Sequence, residues 1–550
     1  MDQPLPTFAE CVFLIKKPFY YLPIRPWLLR RAAKQIHLPQ QFPPNLEPGD
    51  GLIGEALLDG FFELDGERHE FESRNWRFKK ASKNWRQNLH AFGWLHHLKA
   101  TSKDEARSAS AAIVLDWCAR HSSWRKVAWH SLTTAKRVCN WLSLFDFISS
   151  KMTPEQKRTF VTSLWSQILH LNSAYPLDLV GADRLTVAKT LILSDLAFTG
   201  SMNNRFCGWT LLERELRRQI MPDGGLIERS ASQNLQALID LIEVRAALRA
   251  FDVAVPPTLD LAIRLIGTVV EALKMPDGRL SHHHAGTVSP LLTRALSLSG
   301  DVEAKLSFPE SGFERLEAKR SVLIMNTGQA ETLHFNRHLH AAPLAFEFAL
   351  GKQMLIVNCG SHPNDDKYGS IERTTAAHSG LAIEDVNALP IVTMKAGAGL
   401  SVQNAANVTP NVVRDVGPQH ETLVVSHRHY ERIGGGLHTR QLQLEEDGEM
   451  LIGFDQVSAC GKPEICARFH LHPDVLPRIA DQTIFLRMPT GRPWRFDVQD
   501  GQVHIEDSLY FDQGTLKPTK QIFVKRAVNN GSASIKWSLA REGRAARQTL

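Results

Sequence analysis

Apolar positions over roughly the first 300 residues recur with the period of a helix. In "NLQALIDLIEVRAALRA", Leu235, Leu238, Ile239 and Ile242 fall at i, i+3, i+4 and i+7, one apolar stripe. "DRLTVAKTLILSDLAF" does the same with Leu185, Ala188, Ile192 and Leu196. "TPEQKRTFVTSLWSQILHL" opens on Thr153-Pro154, with Glu155 following, the signal of a helix start. Many such segments joined by short Pro/Gly turns predict paired helices in a bundle, solenoid or toroid.

After about residue 315 the period changes to two. In "LAFEFALG", Leu344, Phe346 and Phe348 face one way and Glu347 the other. "LQLEEDGEMLIGF" reads as two strands around Asp447-Gly448, and "WRFDVQDGQVHIED" as the same device at Asp500-Gly501. Short strands at regular spacing with such turns predict an antiparallel β-sandwich. The change of period places the boundary in "LSLSGDVEAKLSFPESG", around residues 297–312.

The chain has 550 residues, too many for one compact core. Three parts are expected: an N-terminal arm over 1–40, a helical domain over 41–305 and a β-sandwich over 313–550. Apolar content of 43% and charged content of 22% describe an ordinary globular protein. A net charge of +6 suits an anionic partner; without dense Lys/Arg clusters beyond the N-terminus, nucleic acid is not expected. Seven scattered cysteines without C-x-x-C spacing predict neither a disulfide framework nor a zinc knuckle. No stretch predicts a transmembrane helix or an ordinary signal peptide, which points to the cytoplasm. Residues 12–31 carry five positive charges among aromatic and apolar side chains. They are expected to pack as a basic arm on the first domain, with peripheral contact to an anionic membrane as the rival reading.

Candidate chemistry gathers where the period changes. "HFNRHLHAAPLAFEF" holds His334, His338 and His340 just ahead of a strand pattern, and imidazoles suit proton transfer near neutral pH. Ten of the twelve tryptophans precede residue 210. Core packing is the ordinary reading of each, but Trp85 and Trp124 have polar neighbours ("WRQNLH", "HSSWRK") and are the better candidates to stack on sugar rings. "SHHHAG" (281–286) reads as a polar loop, and His470 and His472 in "RFHLHP" as residues packing a sheet face.

Six stretches, in order along nearly the whole chain, resemble the heparinase II/III-like polysaccharide lyases. They are "WRQNLH", "QIMPDGGLIERS", "HLHAAPLAFEFALGKQMLIVNCG", "TAAHSGLAIED", "SHRHYERIGGGLHTRQL" and "RFHLHP". The resemblance implies an incomplete (α/α) toroid followed by an antiparallel β-sandwich. It also implies β-elimination of a uronate-containing anionic polysaccharide in a cleft between the two domains. Such chemistry needs a neutraliser for the sugar carboxylate, a base for the C5 proton and an acid for the departing O4 oxygen.

Carried onto this chain, the family's catalytic His-x-His pair falls on His338 and His340, both expected on one face of a strand. Arg229, after the "PDGG" turn, and Asn234 or Arg373 are the candidate neutralisers. The position after "IERS" where relatives carry a catalytic Tyr is Gln233. The Asn of a "GN-x-R-L" segment is Ala182 here, beside Asp183 and Arg184. Of the six tyrosines, Tyr430, near His427, is the candidate acid, with Tyr368 second. Trp85, Asn88, His90, Trp124, Arg184, Gln233, Arg373 and His427 are candidate substrate contacts. The zinc ligands of some relatives correspond to His340, Asn358 and His378. An amide oxygen is a poor zinc ligand, so no cofactor is required, and a structural zinc is the lesser expectation. The resemblance points to the cell envelope, against the cytoplasm that the N-terminus suggests. The rivals are a glycan-binding or polysaccharide-assembly protein without catalysis, favoured by Gln233, and a hydrolase using Asp183, Asp223 and Glu228.

Overall fold

The computed structural model describes residues 38–543 apart from 40, 72–75, 175–178, 200–204, 285–288, 330–334, 363–364, 394–399, 404–408 and 513–514. The 12–31 arm, His334, Tyr20, Tyr21 and Tyr175 lie outside the described residues. The chain forms two compact units, Met1–Gln219 with Gln236–Ile263, and Ile220–Leu235 with Arg264–Leu550. "QIMPDGGLIERS", read in sequence as part of the helical half, therefore clusters from Ile220 onward with the strands.

The first unit is helical. Thr153 starts the helix Pro154–Ala174 as anticipated: its hydroxyl accepts from the Gln156 amide at 3.3 Å and the Gln156 side chain accepts back from Thr153 N at 2.9 Å. The helix Ala182–Thr199 is buried on all sides rather than along one stripe. Its polar residues are consequently paired: Lys189 Nζ meets Asp240 at 2.6 Å and Glu243 at 2.7 Å, as burial of an ammonium requires.

The second unit is an antiparallel sandwich. One sheet has eight described strands, in spatial order Asn411–Val416, His420–His427, Gly435–Glu445, Met450–Ala459, Ser532–Arg541, Trp494–Val498, Thr483–Arg487 and Leu476–Ala480. The other orders Gln502–Asp512, Thr515–Ala527, Glu464–Leu471, Gln353–Val357, Phe346–Leu350, Ser321–Asn326, Phe313–Ala318 and Ser307–Phe308, with Leu381–Ile383 beside Glu464–Leu471. Inward aromatic rings join the two layers. Phe346 stacks on Trp537 at 5.8 Å, and Phe469 meets Trp537 edge-on at 4.8 Å. Gly453 makes room for that indole, since a Cβ there would lie 2.0 Å from Trp537 Cε2.

Three expectations about local structure are corrected. Asp447-Gly448 does turn a hairpin, with Gly448 at φ +70°. Asp500-Gly501 does not: Trp494–Val498 and Gln502–Asp512 belong to different sheets, so this turn crosses between layers. His338 closes a short 3₁₀ turn, Asn336–His338, and His340 sits in the loop before Phe346–Leu350, so the pair is not on a strand. Glu347 does face away from Phe346 and Phe348, yet it is buried. It accepts hydrogen bonds from the backbone of His282 and Asn358, both at 3.0 Å, so the chain at His282 covers this face.

Candidate functional site: a buried histidine relay

Within the sandwich unit, hydrogen bonds fix the protonation of His340. His378 Nδ1 lies 2.8 Å from the Thr374 carbonyl, which can only accept, so this nitrogen carries the proton. His378 Nε2 is then a lone pair, 2.8 Å from His340 Nδ1, which must donate to it. His340 Nε2 is left as an unprotonated nitrogen, buried and without a hydrogen-bond partner among the described residues. Burial, then His378, His284 and Arg373, hold its affinity for a proton well below the ordinary histidine value. Burial likewise takes His378 down to about 4.

The neighbouring residues come from the 220–235 segment and the "SHHHAG" loop. His340 N donates to His284 Nδ1 at 3.1 Å, and the two rings stand at 89° with centroids 6.0 Å apart. His283 donates from Nε2 to the Ile324 carbonyl at 3.2 Å. Arg229 has a left-handed backbone (φ +54°) and is 2% exposed. Its Nε donates to Ser311 O at 2.8 Å, its Nη2 to Asn326 Oδ1 at 2.6 Å, and its Nη1 to Gln329 O. Gly328 permits this seat, because a Cβ there would come 2.0 Å from the guanidinium carbon. Arg229 also weighs on His429, a buried ring with no hydrogen-bond partner at either nitrogen among the described residues, which burial first and then Arg229 lower to about 4.

Several candidates are taken up by the fold instead. Tyr430 is fully buried in the sandwich core and its hydroxyl donates to Leu381 O, so it is withdrawn as the acid. Burial raises its pKa further. Asn234 accepts from Leu226 N at 3.0 Å and donates to Ser230 O at 2.8 Å; its amide holds the turn before the helix Ala231–Ala250 and is not offered to a carboxylate. Arg229, with three donors committed, supplies charge but not an open fork. Gln233 is half-buried on the first turn of that helix. Arg373 donates to Gly369 O at 3.1 Å and Arg337 O at 2.9 Å, pinning the His338 turn. His338 keeps slight access at its surface; burial of its ring first, then Arg337 and Arg373, lower it to about 3. His427 accepts from His429 N at 3.1 Å and pairs with His438 at 3.0 Å, which in turn meets Asp455 at 3.0 Å. This second relay is complete and offers no open nitrogen. His470 packs as expected, between Ser508 at 2.6 Å and Ala376 O at 3.0 Å. Tyr368, against His362 and Phe511, is the half-exposed tyrosine among the described ones.

Five candidate contacts belong to the helical unit. Trp85 is fully buried, its indole donating to Glu67 O at 3.0 Å, so it cannot stack on a sugar. His90 accepts from the Trp117 indole at 3.0 Å and stacks on Trp76. Arg184 bonds Leu179 O at 2.7 Å and Glu215 at 3.3 Å. Asn88 donates to Asp65, and Trp124 is half-buried. Sequence reasoning passed over His284, His429, Asn326 and Thr374. The run of histidines was visible as a polar loop, but nothing in it announced burial.

The zinc set does not fit a metal. Two ligands about 2.0–2.1 Å from a tetrahedral ion stand roughly 3.3 Å apart, whereas the His340 and His378 nitrogens share a proton at 2.8 Å. Asn358 Oδ1 is spent on Ser379 N at 3.0 Å. Among the described residues no three His, Cys, Asp or Glu side chains gather as a metal site.

A helical region followed by antiparallel sheets, with a histidine cluster on the sandwich, defines the class. The family description "Heparinase II/III N-terminus" matches residues 53–277, and "Heparinase II/III-like, C-terminal" matches 301–538. The chain belongs to the heparinase II/III-like family. Its fold is like that of heparinase III (TM-score 0.71, 14% identity, 98% of this chain and 92% of that one). It is also like that of a heparan sulfate lyase from Pedobacter heparinus (TM-score 0.58, 15% identity, 98% and 92%). In sequence it is 26% identical over 524 residues to FtsZ-localized protein C of Caulobacter vibrioides, covering 91% of this chain and 89% of that protein.

Proposed function

We propose that this chain cleaves a uronate-bearing anionic polysaccharide by β-elimination, with His340 Nε2 as the base that takes the C5 proton. The observation that supports this most is the relay from Thr374 through His378, which holds His340 in one tautomer with its Nε2 lone pair buried and unpartnered among the described residues. A base so oriented needs no reorganisation when the proton leaves carbon. Lowered proton affinity keeps it unprotonated at neutral pH, although it also weakens the driving force for abstraction. Arg229, fixed beside the cluster, supplies the positive field that makes the carbon α to a carboxylate acidic. Among the described tyrosines Tyr368 is the one that reaches solvent, and it is assigned the protonation of the leaving oxygen.

Incubating the protein with heparosan, heparan sulfate, hyaluronan, chondroitin and alginate, and following the ultraviolet absorbance of the unsaturated product, tests the reading. Product from one or more is expected. A flat trace on all of them, at several pH values, would overturn it.

A second reading is favoured by Tyr430, whose hydroxyl is consumed at Leu381, and by Gln233 at the family's catalytic tyrosine position. In it the chain binds the same anionic polymer without cutting it. The similarity, at 26% identity, to a protein named for its localisation to FtsZ and not for a reaction is in keeping with such a role. Saturable polymer binding without product would select it.

A further inference from the structure

The mechanism above leaves one buried, strained and unsatisfied residue unused. His284 sits in the left-handed region (φ +52°), a conformation that costs a non-glycine residue about 1–3 kcal/mol and is concentrated at ligand clamps. Its Nδ1 accepts from His340 N, so the neutral ring carries its proton on Nε2. That Nε2–H is buried, in a side chain 1% exposed, and among the described residues it meets no acceptor in good hydrogen-bond geometry, the nearby Asn326 side chain only favouring the protonated ring. A buried polar group in this condition points to a partner from outside the chain.

The surroundings define what that partner carries. His284 and the Arg229 guanidinium flank the same Phe313 ring, at 6.3 Å and 5.9 Å from its centroid. A neutral donor beside a fixed cation favours an anionic acceptor over a neutral one. His340 Nε2, on the ring set at right angles to it, offers the opposite polarity, a lone pair. A ligand matching both presents an acidic oxygen and a removable proton a short distance apart. In a uronate the carboxylate and the C5 proton are on adjacent carbons.

We propose that His284 is a substrate-binding residue whose Nε2–H donates to the carboxylate of the same uronate ring that His340 deprotonates. This rests on the elimination reading above and adds to it the group that touches the carboxylate, a role for which Arg229 keeps no open fork and Asn234 is held at Ser230.

The test is a titration of the full chain, labelled with ¹⁵N-histidine, with D-glucuronate and D-mannuronate, and with glucose as the neutral control. Histidine ring signals report tautomer and hydrogen bonding together. The expected result is an Nε2–H tautomer at His284 whose signal moves saturably with a uronate and not with glucose. His284→Asn should bind that uronate at least ten-fold more weakly. An Nδ1–H tautomer, or a His284 signal indifferent to both uronates, overturns the assignment in the wild-type protein, independent of how any variant folds. Polymer cleavage undiminished in a folded His284→Asn protein would sink this assignment and leave the elimination reading intact. Uronates that move His284 in a protein cutting no polymer would do the reverse.

Discussion

A neutral imidazole has one donor and one acceptor nitrogen, and its neighbours decide which is which. At His340 the decision belongs to His378, 38 residues further on, and to the Thr374 carbonyl behind it. Replacing His378 by Phe keeps a ring in place but removes the acceptor. We expect kcat on any cleaved polymer to fall about 10–100-fold with KM little changed, the range seen when a partner orienting a functional histidine is lost. An unchanged kcat would show that the relay does not set the tautomer. Tyr430→Phe makes the opposite prediction. It should leave turnover intact and lower stability by about 1 kcal/mol, the worth of one buried hydrogen bond. A collapse of activity at constant stability would restore Tyr430 as the acid. His340 stood out in the sequence because its motif is local. His284 and Asn326 did not, because their contacts join segments distant along the chain.

Periodicity revealed the elements well and their partners poorly. The helix Pro154–Ala174 was legible from its cap, and Met450–Ala459 from the Asp447-Gly448 turn and its alternation. At Asp500-Gly501 the same dipeptide reverses the chain, but a turn signal does not say which sheet receives the next strand. The answer lies with Ser532–Arg541 and Thr515–Ala527, which pair with Trp494–Val498 and Gln502–Asp512 respectively. Glu347 misled for a related reason: alternation identifies the second face of a strand without showing that a loop buries it. Close approach between elements gives a direct test. Gly453→Ala drives a methyl into the Trp537 ring, and overpacking of this kind costs about 1–3 kcal/mol. The urea midpoint should drop accordingly; a midpoint equal to wild type would mean the sheet yields there without strain.

For the whole molecule, the order of helices before sandwich was plain in the change of period near residue 315. The membership of residues 220–235 was not, since a segment's neighbours in space are no part of its own pattern. Buried histidines in both units also set a shared response to pH. Burial lowers His96, His121 and His429 to about 4 and His470 to about 3. Unfolded histidine titrates near 6.5, so below that pH the unfolded chain binds more protons. Their stability is intact above about pH 6.5 and declines as pH falls toward 4, by up to about 1.4 kcal/mol per pH unit for each. Glu347, raised by burial to about 7, acts with the opposite sign, its contribution fading as pH rises toward 7. Glu314 and Asp195, also raised by burial, act as Glu347 does, and the lowered imidazoles outnumber these carboxyls. The urea midpoint should therefore fall steeply from pH 6.5 to about 4.5, and a flat profile would contradict neutral burial of these rings.

Whether His340 Nε2 removes the C5 proton is read from the rate of unsaturated-product formation by wild type and by His340→Ala. Product from a uronate polymer is expected with the native protein, and a loss of about 100-fold or more in the folded variant. Equal rates in the two proteins, or no product from the native one on any uronate polymer, would contradict it.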